Sequence, residues 1–265
     1  MNFKRITLVL LFSLLTVSQF SFASQGKKQS GKVDLDLVFI GNSITYGAFF
    51  KNPEKDAPPV TAAEILRKKK GINSVSFSNQ GRSGLTTVDC LPSNGVFPQV
   101  VEAAAEIHNN PLHLLVFSIK LGTNDSAVKG TNGAPVSKED YKKNMKVIID
   151  ALLVKFPHAK VVIQQPIWYS PNTQNGATYL AEGLARLQLY FPEINSLVAG
   201  YSATHKNQVF MGDTKAFGYF EKNHLTDLVP EEGKQGTFYL HPNKKGAAKL
   251  AEFWAEAIYK IIKIS

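Results

Sequence analysis

The sequence predicts an α/β protein in which a mainly parallel sheet of about five strands is covered by helices on both faces. Short apolar runs alternate with longer segments of helical pattern, as in repeated βαβ units. The first three apolar runs each end in a turn of glycine and polar residues. A chain of 265 residues, 44% hydrophobic and 19% charged, can also bury a large core as one domain.

Five apolar runs are predicted as strands, at residues 37–40, 75–79, 112–121, 160–165 and 208–211. The first stops at Gly41 and presents Ser43, and the next two run into polar turns at residues 81–84 and 122–125. In an open parallel sheet the turns after the strands share one edge. We therefore expect these three turns to converge, although they are distant in sequence.

Helices are predicted between and after the strands, at residues 58–71, 98–108, 138–155, 179–190, 192–205 and 242–261. Ser137 stands three residues ahead of Asp140, which is typical of a helix N-cap. Pro242 is predicted at the first position of the last helix. Residues 212–240 show neither the helical nor the strand periodicity of apolar residues and are predicted as a long loop.

The N-terminus predicts a secretory signal peptide over residues 1–23. Lys4 and Arg5 precede an apolar run at residues 6–17, and small residues lead to a cleavage position after Ala23. A membrane anchor is the alternative, but it needs about 20 apolar residues and this run ends earlier. We therefore expect a secreted or periplasmic protein without a stable membrane anchor.

After the signal, residues 24–32 are predicted as a flexible leader and residues 33–265 as the folded domain. The formal charge of +9 includes lysine clusters with no interleaved aromatic residues, which favours a solvated surface over a nucleic-acid site. Cys90 is the only cysteine, so an internal disulfide is excluded and a cysteine-based metal site is disfavoured.

The polar turns contain the parts of a nucleophilic site. Ser43 supplies a hydroxyl group, and the glycine-rich turns supply backbone N–H groups suited to an oxyanion. The alternative role of Ser43 is to cap the following helix. A serine hydroxyl needs an imidazole to accept its proton, so a histidine must reach the same edge.

His241 is the best placed of the six histidines. It ends the predicted loop directly before Pro242, and capping the last helix is its alternative role. The other five are predicted as surface or core residues, three of them beside connections at the wrong end of the sheet: His108, His113, His158, His205 and His224.

Four segments resemble, in order and spacing, the sequence blocks of the SGNH (GDSL-type) hydrolase family. They are residues 41–44, residues 79–84, residues 122–125, and His241 with Pro242. Each is weak alone, but each follows a predicted strand or precedes the last helix. The resemblance implies a three-layer α/β/α sandwich with a flavodoxin-like sheet, and an ester hydrolase that needs no cofactor and no metal.

The resemblance also implies a role for each matching residue. Ser43 would be the nucleophile and His241 the general base. The oxyanion hole would consist of the Ser43 N–H, the Gly84 N–H and the side-chain amide of Asn124. Gly84 is preferred to Gly81 because it closes the second block, just before a threonine-containing segment.

The sequence departs from the family pattern at two positions. Asn42 replaces the commonest aspartate, and we expect its side chain to serve the turn. Phe238 stands where the family usually has an aspartate three residues before the histidine. The orienting partner of His241 is therefore open between a backbone carbonyl and four acids of the predicted loop: Asp213, Asp227, Glu231 and Glu232.

The substrate is predicted to be an acylated small molecule or polysaccharide, and the protein a carbohydrate O-acetylesterase. Secreted members of the resembled family often deacetylate polysaccharides or sialic acids, and Trp168 and Tyr169 follow the fourth strand, where aromatic rings would stack on a sugar. The alternative role of this pair is loop packing. A lysophospholipase or general short-chain esterase and an inactive carbohydrate-binding protein are the alternative functions.

Overall fold

Five parallel strands form the central sheet of the protein, described by a computed structural model over residues 31–263. The strands are β1 (Val33–Gly41), β2 (Ile72–Gly81), β3 (Leu114–Lys120), β4 (Lys160–Ile163) and β5 (Val209–Met211). Their order across the sheet is β2-β1-β3-β4-β5, and every neighbouring pair is parallel. This flavodoxin-like order confirms the predicted fold class.

Eight helices connect or follow these strands within the described residues: α1 (Ser43–Tyr46), α2 (Pro53–Asp56), α3 (Pro58–Arg67), α4 (Val96–Ile107), α5 (Lys138–Lys155), α6 (Leu180–Thr204), α7 (Ala216–Asp227) and α8 (Lys244–Lys263). Ser137 caps α5 as predicted, because its Oγ accepts a hydrogen bond from Asp140 N at 3.0 Å. None of these helices is both long and apolar enough to cross a bilayer.

The sheet divides the core into two apolar layers. Alternate residues of β1 point to opposite faces: Leu37 and Phe39 face α3 and α8, whereas Val38 and Ile40 face α4, α5 and α6. All four side chains are at most 2% exposed, and burying such a side chain contributes about 1.5–3 kcal/mol. Because both faces are covered, β1 is held rigidly, and the turn that follows it has a fixed starting point.

The two helices predicted on either side of Pro192 are in fact one helix, α6. Its buried residues recur at intervals of four and three through the proline: Gly183, Leu187, Tyr190, Ile194, Leu197 and Tyr201. A proline removes one hydrogen bond from the helix interior. Packing of this continuous apolar stripe outweighs that loss, so the helix does not end there.

The predicted loop at residues 212–240 is wrong, because most of it is regular structure. Helix α7 is followed by a hairpin of two antiparallel strands, β6 (Leu228–Gly233) and β7 (Gly236–Pro242). Pro230 and two adjacent glutamates hide the strand pattern of β6, since proline and charge are typical of edge strands. Pro242 therefore ends β7 and does not open the last helix.

The last helix, α8, begins at Lys244, and Asn243 caps it. The Oδ1 atom of Asn243 accepts a hydrogen bond from Gly246 N at 3.1 Å. His241 is therefore not the cap of this helix, which was its alternative role. The predicted signal peptide lies outside the described residues, and so do residues 24–30 of the predicted leader.

Candidate active site

Ser43 stands at the carboxyl edge of the sheet, two residues after β1. The side chain of Asn42 caps α1 by accepting a hydrogen bond from Ile44 N at 3.1 Å, so Asn42 serves the turn as expected. Ser43 is the first residue of α1, where a backbone N–H has no acceptor within the helix. The turn therefore presents both the hydroxyl and the N–H of Ser43.

His241 reaches Ser43 from the other end of the chain. Ser43 Oγ and His241 Nε2 are 2.8 Å apart, although 198 residues separate them in sequence. Among the six histidines, all within the described range, only His241 bonds to Ser43. His108 and His113 instead bond to the two carboxylate oxygens of Asp36 at the opposite end of the sheet, as structural residues.

Glu231 is the acid that contacts His241. Its Oε1 atom lies 2.8 Å from His241 Nδ1 and also accepts a hydrogen bond from His241 N at 3.1 Å. The other three candidate acids have different partners: Asp213 accepts from two N–H groups at the start of α7, Asp227 pairs with Lys245, and Glu232 accepts from Thr237. Of the candidates for the orienting partner of His241, which were four acids and a backbone carbonyl, Glu231 is therefore the one in contact with the imidazole.

An irregularity in the hairpin aims His241 at this glutamate. Glu231 lies directly opposite Phe238, the position where the resembled family places its acid. Between the pairs Pro230–Tyr239 and Leu228–Pro242, β6 advances two residues and β7 advances three, which is the signature of a β-bulge. His241 lies within this irregular stretch, and its N–H donates to the Glu231 carboxylate.

Gly84 and Asn124 flank Ser43 at the same edge. Gly84 has φ +83°, a conformation that favours glycine, and its N–H donates to no acceptor within residues 31–263. Gly81 instead allows the end of β2 to approach α1 closely. A Cβ at Gly81 would lie 2.3 Å from Tyr46 N, so no other residue fits there without a shift. The preference for Gly84 as the N–H donor thus agrees with the backbone geometry.

Neighbouring residues fix the orientation of the Asn124 amide. Its Nδ2 donates to Leu85 O at 2.9 Å, and its Oδ1 accepts from the Tyr179 hydroxyl at 2.7 Å. Burial raises the pKa of Tyr179 well above its ordinary value, so this hydroxyl stays protonated and remains a donor. The second hydrogen of Asn124 Nδ2 is left for another acceptor.

Asp125 ties the third polar turn to the second. Its Oδ1 accepts hydrogen bonds from both the backbone N–H and the hydroxyl of Thr87, three residues after Gly84. Burial raises the pKa of Asp125 to about 6, against the hydrogen bonds that favour the carboxylate. Asn124 and Asp125 thus hold the turn that carries Gly84 from two sides.

A cleft of about 360 Å³ opens over Ser43. Its lining comprises Ser43, Ala48, Phe49, Ser83, Gly84, Asn124, Gly130, Thr131, Asn175, Gly176, Ala177, Tyr179, Leu240 and His241. Trp168 and Tyr169 are absent from the lining and are only 6% and 0% exposed. Trp168 packs on His224, and Tyr169 packs on Tyr179, so of the two roles left open for this pair the structure favours loop packing.

Residues 170–178 form a wall of this cleft and are bonded to the hairpin. Ser170 N donates to Tyr239 O at 2.9 Å, and Tyr239 N donates to Ser170 Oγ at 2.7 Å. Lys234 N donates to Gln174 O at 3.0 Å, and Asn172 Nδ2 donates to Thr237 O at 2.8 Å. The cleft wall is therefore joined to β7, which carries His241, and to the turn that connects β7 to β6.

Sequence reasoning missed two aromatic residues of the site, Phe49 and Tyr179. Phe49 lies six residues after Ser43, and its ring packs on His241 with centroids 4.6 Å apart. No motif includes either residue. For Phe49, the one sequence signal is that two aromatic residues, at 49–50, follow shortly after the first polar turn.

A parallel α/β sheet that gathers a serine, a histidine and an acid at its carboxyl edge has the arrangement of a hydrolase, and the family that the chain matches makes it an ester hydrolase. The model of the GDSL-like lipase/acylhydrolase family matches residues 39–249. The chain belongs to this family, and the resemblance of the four sequence blocks is confirmed.

Solved structures share the fold at low sequence identity. A family 3 carbohydrate esterase from Clostridium thermocellum is 16% identical, with a TM-score of 0.57, over 87% of this chain and 98% of that one. A carbohydrate acetylesterase from Sinorhizobium meliloti is 15% identical, with a TM-score of 0.56, over 85% of this chain and 99% of that one. An M. smegmatis aryl esterase has the same identity, TM-score and coverage. No match was found among curated proteins.

Proposed function

We propose that the protein is a serine esterase that removes short acyl groups, above all acetyl, from carbohydrates. The observation that carries this proposal is the unbroken series of hydrogen bonds from Ser43 Oγ through His241 to Glu231. This arrangement is the nucleophile, base and orienting acid of serine hydrolases. No cofactor enters the proposed reaction.

In the first half-reaction, Ser43 Oγ attacks the ester carbonyl and transfers its proton to His241 Nε2. Glu231 accepts the Nδ1–H and stabilises the imidazolium that forms. The carbonyl oxygen becomes an oxyanion, which receives hydrogen bonds from the N–H groups of Ser43 and Gly84 and from Asn124 Nδ2. The imidazolium then protonates the leaving alcohol, and an acyl-serine remains.

In the second half-reaction, water takes the place of the alcohol. His241 Nε2 accepts a proton from the water as it attacks the acyl-serine, and the same three donors stabilise the second oxyanion. Collapse of this intermediate returns the proton to Ser43 Oγ and releases the carboxylic acid. Each residue ends in its starting state, so the cycle needs only ester and water.

The cleft supports a small, polar substrate over a lipid. Phe49 is the one large apolar side chain in its lining that is substantially exposed, at 49%. An enzyme that takes a long acyl chain needs a continuous apolar surface for it. Two structural neighbours are carbohydrate esterases, which agrees with this proposal, although at 15–16% identity they carry the fold and not the substrate.

Acetate release from acetylated xylan, pectin and sialic acids tests the activity, with the wild type beside Ser43→Ala. We expect Ser43→Ala to retain the fold by circular dichroism and to lose at least about 10³ in kcat. Equal release by both proteins would refute the nucleophile. A p-nitrophenyl ester series tests the acyl length: a maximum beyond butyrate would replace this proposal with a lysophospholipase or general esterase.

We also propose that the chain is exported and cleaved after Ala23, which leaves residues 33–265 as the folded domain behind a short leader. The charged start and the apolar run before Ala23 support this proposal. N-terminal sequencing of the protein from the periplasm or culture medium tests it. A mature chain that begins at Ser24 is the expected result, and an intact Met1 in those fractions would contradict it.

A further inference from the structure

The cleft over Ser43 is lined almost entirely by uncharged side chains. Of its fourteen lining residues, only His241 and Tyr179 have titratable side chains, and burial raises the pKa of Tyr179, so its hydroxyl stays protonated and neutral. Arg82 and Lys129 adjoin lining residues in sequence but are not themselves part of the lining. The guanidinium of Arg82 is already bonded to Gln99.

An anionic substrate would therefore lose hydration in this cleft without gaining a cationic partner from its lining. Taking a carboxylate out of water is unfavourable unless a positive group or several donors replace the water. The buried carboxylate nearest to the reacting atoms, Glu231, would repel a second negative charge. The surface charge of the protein is positive, but salt screens it over about 8–10 Å.

Phe49 provides a flat apolar surface at the rim of this cleft. One face of its ring packs on His241, with centroids 4.6 Å apart and the ring planes 32° apart. The side chain is nevertheless 49% exposed, so part of the ring is open to solvent at the rim of the cleft. A half-exposed ring that is held in place by a second ring is suited to stack on another flat or cyclic group.

The other lining residues offer neutral hydrogen-bonding groups. Asn175 uses its Oδ1 to accept from Ala177 N at 3.0 Å, which leaves its amide nitrogen as a donor. Ser83 and Thr131 add hydroxyl groups to the lining, and the hydroxyl of Thr131 is also fixed by Asn124 O. An apolar ring together with neutral donors and acceptors matches the C–H face and the hydroxyl groups of a pyranose.

We propose that the site selects uncharged O-acetylated pyranose sugars, and that Phe49 is the stacking surface that determines this selection. The inference rests on the proposed esterase activity and adds the charge and ring chemistry of the substrate. Acetylated uronic acids, sialic acids and lysophospholipids are then poor substrates, because their charged groups have no partner in the cleft.

The charge component is tested with three substrates that share one ring and one acetyl position. They are an acetylated methyl glucoside, the corresponding methyl glucuronoside, and the methyl ester of that glucuronoside, all at 0.15 M salt. We expect kcat/KM for the free acid to be at least tenfold lower than for the other two. Equal or faster cleavage of the free acid would overturn the proposal.

The stacking component is tested with Phe49→Leu, Phe49→Trp and the matched control Tyr46→Leu. Tyr46 is a similarly exposed aromatic residue, at 44%, on the same turn but outside the cleft lining. The readout is the ratio of kcat/KM for the acetylated glucoside to that for vinyl acetate, which has no ring. We expect Phe49→Leu to lower this ratio at least fivefold, while Phe49→Trp and Tyr46→Leu keep it within twofold.

Vinyl acetate also separates failure of this inference from failure of the proposed function. If the wild type releases acetate from vinyl acetate and Ser43→Ala does not, the esterase activity stands. An unchanged ratio in Phe49→Leu would then show that Phe49 only packs on His241, which overturns the stacking role. If the wild type releases no more acetate than Ser43→Ala from any ester, the activity itself is refuted.

Discussion

At the scale of single residues, one oxygen atom of Glu231 holds His241 in place. It accepts hydrogen bonds from both the ring Nδ1 and the backbone N of His241, so the imidazole is fixed with Nε2 toward Ser43. Both side chains are buried, which limits competition by water. A carboxylate in this position favours the imidazolium of the proposed reaction.

Glu231→Gln preserves the size of this side chain and removes its charge. We expect kcat to fall by about 10³–10⁴ with little change in KM, because the amide no longer stabilises the imidazolium. Glu232→Gln is the matched control, since Glu232 is exposed and bonds to Thr237. Steady-state kinetics on vinyl acetate measures both, and equal activity of the two variants would remove Glu231 from the mechanism.

Tyr179 acts on the reaction through Asn124 and is a positioning residue. Tyr179→Phe removes the hydroxyl that fixes Asn124 Oδ1, so the amide is free to rotate away from the oxyanion. We expect kcat to fall about 10-fold to 100-fold at constant KM, less than the 10²–10³ expected for Asn124→Ala. Tyr169→Phe, whose hydroxyl bonds to Ser126, is the control and should alter only thermal stability.

At the scale of elements, the β6–β7 hairpin supplies the acid from a different part of the sequence. In the usual pattern the acid lies three residues before the histidine, whereas here it lies on the partner strand, directly opposite Phe238. Phe238 is 1% exposed and belongs to the core between the sheet and α4, α5 and α6. The position that usually holds the acid is therefore part of the hydrophobic core.

Phe238→Asp should not raise the activity, because Glu231 already contacts His241. The variant loses buried aromatic surface and places a carboxylate in the core, so we expect it to lower the free energy of unfolding by about 3–5 kcal/mol. Gln235→Asp, at an exposed position in the turn of the same hairpin, should change it by less than about 0.5 kcal/mol. Urea unfolding measures both, and a tenfold rise in kcat for Phe238→Asp would show that Glu231 does not support His241.

Local patterns predicted much of the fold, because the signals for each strand and its following turn lie within a few residues of each other. The apolar runs located all five strands of the sheet and the polar turns at its edge, whereas the resemblance to the family selected Ser43, Gly84, Asn124 and His241 as candidate site residues. The hairpin was missed because Pro230 and its charged neighbours carry no strand pattern. Glu231 was one candidate of four, since its selection depends on cross-strand pairing and a bulge that no local pattern encodes.

At the scale of the whole molecule, Lys120 is a charge that the fold does not pair. It ends β3 beside Gly41, is 1% exposed, and its Nζ has no hydrogen-bond partner among the described residues. Burial lowers the pKa of Lys120 to about 7. Between pH 7 and about 10.5 the unfolded chain binds a proton that the folded chain does not, so this group makes stability increase as pH rises.

Lys120→Met should therefore stabilise the protein most at low pH. Methionine has a similar length and no charge to desolvate, and we expect a gain of a few kcal/mol at pH 6.5. The gain should shrink by about 3 kcal/mol by pH 9.5, where the wild-type lysine is neutral when folded. Urea unfolding of both proteins at the two pH values measures the difference, and a gain that is independent of pH would show that Lys120 is solvated or paired.

The bonds between residues 170–178 and the hairpin constrain how this protein can be redesigned. The loop contributes one wall of the cleft and the hairpin contributes the acid and the base, and backbone and side-chain hydrogen bonds make them one unit. Enlarging the cleft on this side would break bonds to the strand that carries His241. At the opposite rim, Gly47 N and Ala48 N donate to Ser43 O, so bulkier substrates are better admitted by changing single side chains there than by exchanging the loop.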